Sequence, residues 1–219
     1  MKTNWLPLVA ATGAICLAGP VLAQTKNAAK TGSKFSVDLV YGKHGKGGTA
    51  KFWVKGNRVR EEKKSGGGLR VILISNEDGV FVKNKYSNVW AKMPSTVAYR
   101  LVDRLLGGPS GDPKAFLKEH KAKKVGIQKW NGAPCEVWSY ASPKNIEKYK
   151  LWLSAATGKP VRLERDALLG GKFREKITVS YNDFAWNVPL EDALFKVPAN
   201  EQVREFRNPL QPQTGSALK

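Results

Sequence analysis

The chain has 219 residues, of which 42% are hydrophobic and 25% charged. That is enough for one core of ordinary size, and it argues against both a disordered chain and a membrane-spanning bundle. Its 37 Lys plus Arg against 18 Asp plus Glu give a formal net charge of +19, which attracts anionic surfaces such as lipid phosphate, acidic polysaccharide or nucleic acid. The charge is spread along the chain and no zinc finger, recognition helix or RNA-binding signature accompanies it, so nucleic acid is not an expected partner.

Residues 1–23 place a single Lys2 ahead of an apolar stretch from Leu6 to Ala18, then Gly19-Pro20 and Val21-Leu22-Ala23. This is the pattern of a secretory signal cleaved after Ala23, and its apolar part is shorter than the roughly 18 residues of a spanning helix. Cys16 follows Ile15, where an acylated cysteine would follow a small residue. Cleavage leaves Cys135 alone, in the strand-like run CEVWSY, as a small buried apolar residue and not a disulfide partner. Residues 24–34 are Lys, Ala, Gly and Ser without periodicity, a flexible lead-in.

Phe35, Val37, Leu39 and Tyr41 alternate with Ser36 and Asp38, which predicts a half-buried strand. His44 follows in a loop. The stretch Thr49 to Met93 holds five short runs rich in Val, Ile, Phe and Trp, separated by Gly-Asn, Ser-Gly-Gly-Gly, Glu-Asp-Gly and Lys-Tyr-Ser-Asn, the punctuation of an antiparallel meander. Phe52 and Val54 share one strand face, with Lys51, Trp53 and Lys55 on the other. Val71, Ile72, Leu73 and Ile74 are apolar on both faces and call for cover on both sides.

Met93-Pro94-Ser95-Thr96 ends the meander and starts a helix with Val97, Leu101, Val102 and Leu105 at helical spacing. Asp112 and Pro113 open a second short helix contributing Phe116 and Leu117, with His120 at its charged end. From Lys124 strands return, with Asn131-Gly132 and Thr157-Gly158 as turns, through VRLERDA to KFREKITVSYNDF. The total is about eleven strands and two helices, followed by one helical turn in PLEDALF and a flexible polar tail over 201–219.

Catalytic chemistry is poorly supplied. His44 and His120 lie in unrelated places, one cysteine remains, and Glu61 and Glu62 are adjacent on a strand and so face opposite ways. No phosphate loop, dinucleotide fingerprint or serine elbow occurs. The reading is therefore not an enzyme, with no cofactor and no metal. What stands out is aromatic and aliphatic bulk on a sheet, including Trp53, Trp90, Trp130, Trp138, Trp152 and Trp186, which serves either as a filled core or as the wall of an apolar cleft under the Val97 helix.

The signal, the run GTAKFWVKGNRVREE, then SNEDGVFVKNKYSNVWAKMP, KLWLSAATGKPVRLERDA, ITVSYNDF and a closing DALFKVPAN together resemble the LolA-like superfamily, which includes the periplasmic carriers that sort lipoproteins to the outer membrane. The resemblance covers residues 35–200. It implies a mostly β (α+β) fold, an incomplete barrel of about eleven antiparallel strands with a helical lid, and acyl chains held in an apolar cavity. Lipoprotein carriers have an Arg-Pro where this chain has Gly56-Asn57, which favours a relative that carries or senses another lipid.

The expectation is thus a monomeric, exported, periplasmic lipid or lipoprotein carrier. Its cleft is assigned to Phe35, Val37, Leu39, Phe52, Val54, Leu73, Val82, Leu151, Leu153 and Leu163, its lid to Val97, Leu101 and Leu105, and its rim charges to Arg58 and Arg60. Membrane-bound donor and acceptor proteins or an anionic membrane surface are the further partners. The competing reading is an extracytoplasmic scaffold whose basic face binds an anionic membrane, polysaccharide or protein.

Overall fold

The structure, a computed structural model, describes residues 31–41, 47–65, 68–84, 86–93, 107–142, 147–169 and 173–205. The expected signal, His44 and the lid positions Val97, Leu101 and Leu105 lie outside them. The first meander comprises β1 (Thr31–Tyr41), β2 (Gly48–Lys55), β3 (Arg58–Ser65), β4 (Arg70–Asn76), β5 (Gly79–Asn84) and β6 (Val89–Met93). After the helix α1 (Pro113–Glu119) comes a second meander of β7 (Lys123–Trp130), β8 (Ala133–Ala141), β9 (Glu147–Ser154), β10 (Pro160–Leu169) and β11 (Phe173–Pro189). A 3-10 turn (Asp192–Phe195) and β12 (Gln202–Glu205) follow.

All twelve strands form one curved, open sheet in the order β12-β6-β5-β4-β3-β2-β1-β11-β10-β9-β8-β7. It is the incomplete barrel that the family resemblance implied. Each meander is sequential because its turns suit two-residue hairpins. Asn131 and Gly132 both take positive φ, 49° and 81°, the primed turn whose twist matches the flanking strands. The meanders meet where β1 pairs antiparallel with β11, and that register shifts between Gly32 and Lys34 and again between Lys34 and Ser36. Opposite these shifts Asp183 and Asn187 on β11 have φ of 52° and 57°. Irregularities of this kind bend and twist a strand, and here they lie at the middle of the sheet, where curvature is needed.

Cross-strand pairs fix which side chains share a face. The inner face, on which α1 packs, carries the main core: Phe35, Val37, Leu39, Phe52, Leu151, Leu163 and Val179 among others, joined by Leu117 of the helix. Asp112 accepts a hydrogen bond from the Lys114 amide and Pro113 begins α1, as the sequence predicts. Ahead of the helix the chain touches the sheet through glycine. A Cβ on Gly108 would lie 2.1 Å from the Tyr181 hydroxyl, and one on Gly107 would lie 2.6 Å from the Tyr149 ring.

The outer face is covered by the protein's own side chains and by its C-terminal segment. On the second meander Cys135, Val137 and Trp152 cluster with Trp130 and Val161, and the Arg162 guanidinium lies 4.0 Å from the Trp130 ring centroid and 5.3 Å from that of Trp152. On the first, Ile74, Phe81 and Trp90 pack with Ile72 and Val197. The both-faced strand VILI is thus split as its sequence demands, Leu73 inward and Ile74 outward.

The eleven expected strands are all present, and strand structure reaches further along the chain than expected in both directions. β1 begins at Thr31, within the expected lead-in. Beyond Asn200, where a polar tail was expected, Gln202–Glu205 pairs parallel with β6. Its four residues are all exposed and three are polar or charged, so local pattern does not announce a strand. Its place is set by distant partners: Glu201 lies 2.6 Å from Lys83 Nζ and accepts a hydrogen bond from the Trp90 indole.

The 3-10 turn lies on β3 and β4 and buries Phe195 to 1% exposure. Phe195→Ala is expected to destabilise the protein by about 3–5 kcal/mol, the usual cost of emptying a phenylalanine site. Urea unfolding measures this, and a loss below about 1 kcal/mol would show that the C-terminal segment is not integral to the fold.

Candidate functional site on the inner face of the sheet

Two inner-face rows run across the hydrogen-bonded strands. One is Phe35, Phe52, Glu61, Leu73, Val82 and Ala91, from β1 to β6. The other is Leu39, Val179, Leu163, Leu151 and Trp138, from β1 through β11 to β8. Of the ten residues assigned to a cleft, Phe35, Val37, Leu39, Phe52, Val54, Leu151, Leu153 and Leu163 fall in one cluster. Leu73 and Val82 fall in a second, with Val80 and Met93. Both clusters face the same side of the sheet, and Glu61 stands in the row that joins them.

The two arginines assigned to the rim are elsewhere. Arg58 donates to both Glu77 oxygens at 3.0 Å and to Asp192 at 3.0 Å. Arg60 forks onto Glu62 Oε1 at 2.7 and 3.0 Å and reaches the Leu194 carbonyl at 3.2 Å. Arg60 is paired in register with Trp53 and Ile74, on the outer face. Counting two residues per pleat from the Gly56-Asn57 turn puts even-numbered β3 residues outside, so these arginines stand on the face opposite the assigned cleft residues and clamp the C-terminal segment.

The same counting exposes a residue that reasoning from motifs passes over. Val59, Glu61 and Lys63 are the inward positions of β3, opposite Val54, Phe52 and Ala50. Glu61 is 5% exposed and its Oε1 has no hydrogen-bond partner among the described residues. Burial pushes its pKa up from 4.5 to about 7, with Lys63 pulling the other way. A carboxyl taken out of water with no partner favours its neutral form.

Further along the inner face a second charged group is buried, here with a carboxylate beside it. Arg165, 8% exposed, donates to Glu147, and Glu147 also accepts from the Tyr149 hydroxyl at 2.5 Å. The Tyr149 ring stacks on Tyr140 with centroids 4.8 Å apart, and the Tyr140 hydroxyl donates to the Gly107 carbonyl at 2.5 Å. This network fastens the segment before α1 to the sheet.

A second feature is electrostatic. A cleft of about 560 Å³ is lined by Lys121, Lys123, Lys148, Lys150 and Lys176, with His120 and, as its acids among the described residues, Glu164 and Asp166. Lys123, Lys148, Lys150 and Lys176 stand on the outer face, in register with Ser139, Asp166 and Glu164. Glu164 is already paired with Arg162 and, at 3.1 Å, with Lys176. The cleft therefore carries a surplus of positive charge.

No protein-family model and no curated protein matches the chain. Solved structures similar to it include an uncharacterized conserved protein from Thermus thermophilus, at 14% identity and a TM-score of 0.47, covering 81% of this chain and 91% of that one. The lipoprotein LppX of Mycobacterium tuberculosis is similar at 15% identity and a TM-score of 0.41, over 72% of this chain and 88% of its own. LprF of Mycobacterium bovis is similar at 11% identity and a TM-score of 0.41, over 76% of this chain and 90% of its own.

The Glu61 environment makes stability depend on pH in a definite direction. The folded chain keeps a proton that the unfolded chain releases between pH 4.5 and about 7, so the contribution is fullest below pH 4.5 and is lost as pH rises to about 7. At about 1.36 kcal/mol per pKa unit the loss is about 3 kcal/mol. Glu61→Gln does not titrate, so its stability relative to the parent should climb by about that amount between pH 4.5 and about pH 8 in urea unfolding. A difference that stays constant over that range would contradict the burial of an unpaired carboxyl.

Proposed function

We propose that the mature chain is an exported, non-catalytic carrier that holds the acyl part of a lipid or lipoprotein against the inner face of its sheet. The observation that carries this reading is the extent of that face. Its apolar rows reach from Trp138 on β8 to Ala91 on β6, whereas the one α-helix among the described residues has seven residues and packs beside Tyr140. A wide apolar sheet face needs a second layer. In this reading the layer is shared between the Val97, Leu101 and Leu105 helix and bound acyl chain.

The energetics suit carriage with few polar contacts. Each buried CH2 contributes about 0.8 kcal/mol, so a chain of about a dozen carbons supplies on the order of 10 kcal/mol before the costs of ordering. The outer face needs no such partner, because Trp130, Trp152, Arg162 and the C-terminal segment already cover it. The signal over residues 1–23 and a single domain acting as a monomer in the periplasm complete the proposal.

The lysine-lined cleft favours a second, compatible element: docking on an anionic membrane surface, where lipid is collected or delivered. Near such a surface each Lys contributes about 1 kcal/mol, and the attraction fades within a Debye length. Acyl burial has little salt dependence, so the two activities separate experimentally.

Organic extracts of the purified mature protein should contain lipid by mass spectrometry, and the delipidated protein should take up a fluorescent fatty acid with little change between about 50 and 500 mM salt. Absence of both would end the carrier reading. Sedimentation with anionic vesicles should weaken steeply with salt, and Lys148→Glu combined with Lys150→Glu should lower it by at least roughly 30-fold while leaving fatty-acid uptake intact. Vesicle binding that is indifferent to salt and to these substitutions would remove the docking element.

A further inference from the structure

In the row from Phe35 to Ala91, every position but one is apolar, and the exception is Glu61. A carboxyl placed between Phe52 and Leu73 is costly to bury without a partner, and a leucine would fill the position without that cost. The next inward residue of β3 is Lys63, set between Ala50 and Val71. Its Nζ lies 3.4 Å from the Tyr41 hydroxyl and 5.9 Å from the centroid of that ring.

Two residues along a strand separate these side chains by about 6.6 Å at their bases. Among the described residues no ion pair joins Glu61 to Lys63, and neither has another partner of opposite charge. An apolar wall thus carries a carboxyl, which a bound cation would hold ionised, and an ammonium, side by side on the same face with no hydrogen bond between them. Either charge alone would select a ligand of opposite sign. Together they match a ligand that carries both.

We propose that Glu61 and Lys63 form a head-group site for a zwitterionic amphiphile, its ammonium against the Glu61 carboxyl and its phosphate against the Lys63 ammonium and the Tyr41 hydroxyl, with its acyl chain along Phe52, Leu73 and Val82. This rests on the reading of the inner face as an acyl-binding surface. Charge-assisted hydrogen bonds at both ends of the head group are the strong, directional contacts that apolar burial lacks. A fatty acid leaves its carboxylate opposed by Glu61, and an alkylamine leaves its ammonium opposed by Lys63.

Calorimetric titration of the delipidated mature protein with three probes of equal chain length tests this: a lysophosphatidylethanolamine, a fatty acid and a primary alkylamine. The zwitterion should bind at least roughly 10-fold tighter than either of the others. Glu61→Gln should bring its affinity down to that of the fatty acid, and Lys63→Gln down to that of the alkylamine. Glu61→Leu, an apolar filling of the same position, should repeat the first effect, and thermal unfolding of each variant verifies that it is folded. Equal affinities for all three probes, or a zwitterion preference that survives in the variants, would overturn this inference and leave acyl binding standing. Failure of every probe to bind would overturn both.

Discussion

The pairing of β1 with β11 is the contact on which the sheet depends. Two meanders, each assembled from neighbours in sequence, become one surface because residues as far apart as Ser36 and Asn182, separated by 146 positions, lie side by side. Every other strand contact except that of β12 is a local hairpin. Closing so long a loop is slow and has to be offset by burial. The offset comes from the inner face, where Val37, Leu39, Val179 and Leu163 stand together and Phe35 stacks on Phe52 and Phe184 with ring centroids 5.1 Å apart. The register shifts at the same seam bend the sheet, so one set of contacts both joins the halves and shapes the trough.

The two faces then divide the work. On the outer face, bulky aromatics are screened by cations: Arg162 over Trp130 and Trp152, Arg60 near Trp53, Lys83 near Trp90. Cationic stems lying on aromatic rings cover apolar surface while leaving their charge at the water boundary. This explains how a chain with net charge +19 can be rich in tryptophan without presenting broad apolar patches on that side. The inner face has the opposite character, apolar rows interrupted by Glu61 and Lys63 on β3 and by the Arg165–Glu147 pair on the second meander.

Much of this is legible in the sequence, for a physical reason. Hairpins are encoded locally, so period-two alternation and Gly or Asn turns locate all eleven strands of the meanders and assign Phe35, Val37, Leu39, Phe52, Leu151, Leu153 and Leu163 to one face. Asp112 and Pro113 announce α1 in the same way. What escapes is whatever depends on distant partners. β12 has only four exposed residues and is held through Glu201 by Lys83 and Trp90. Arg58 and Arg60 look like free rim charges until Glu77, Asp192 and the Leu194 carbonyl arrive from elsewhere. Glu61 is within reach of the sequence, since counting across the Gly56-Asn57 turn sets it opposite Phe52, but a lone carboxylate on a strand has no motif to draw attention to it.

Which face of the sheet receives the acyl chain can be read out with a photoreactive ligand. A diazirine-bearing fatty acid, irradiated with the delipidated protein and mapped by peptide mass spectrometry, should label inner-face residues such as Phe52, Leu73, Val82 and Leu163. Labels concentrated instead on the outer face, at Trp53, Ile74 or Trp152, would contradict the assignment of the inner face as the acyl-binding surface.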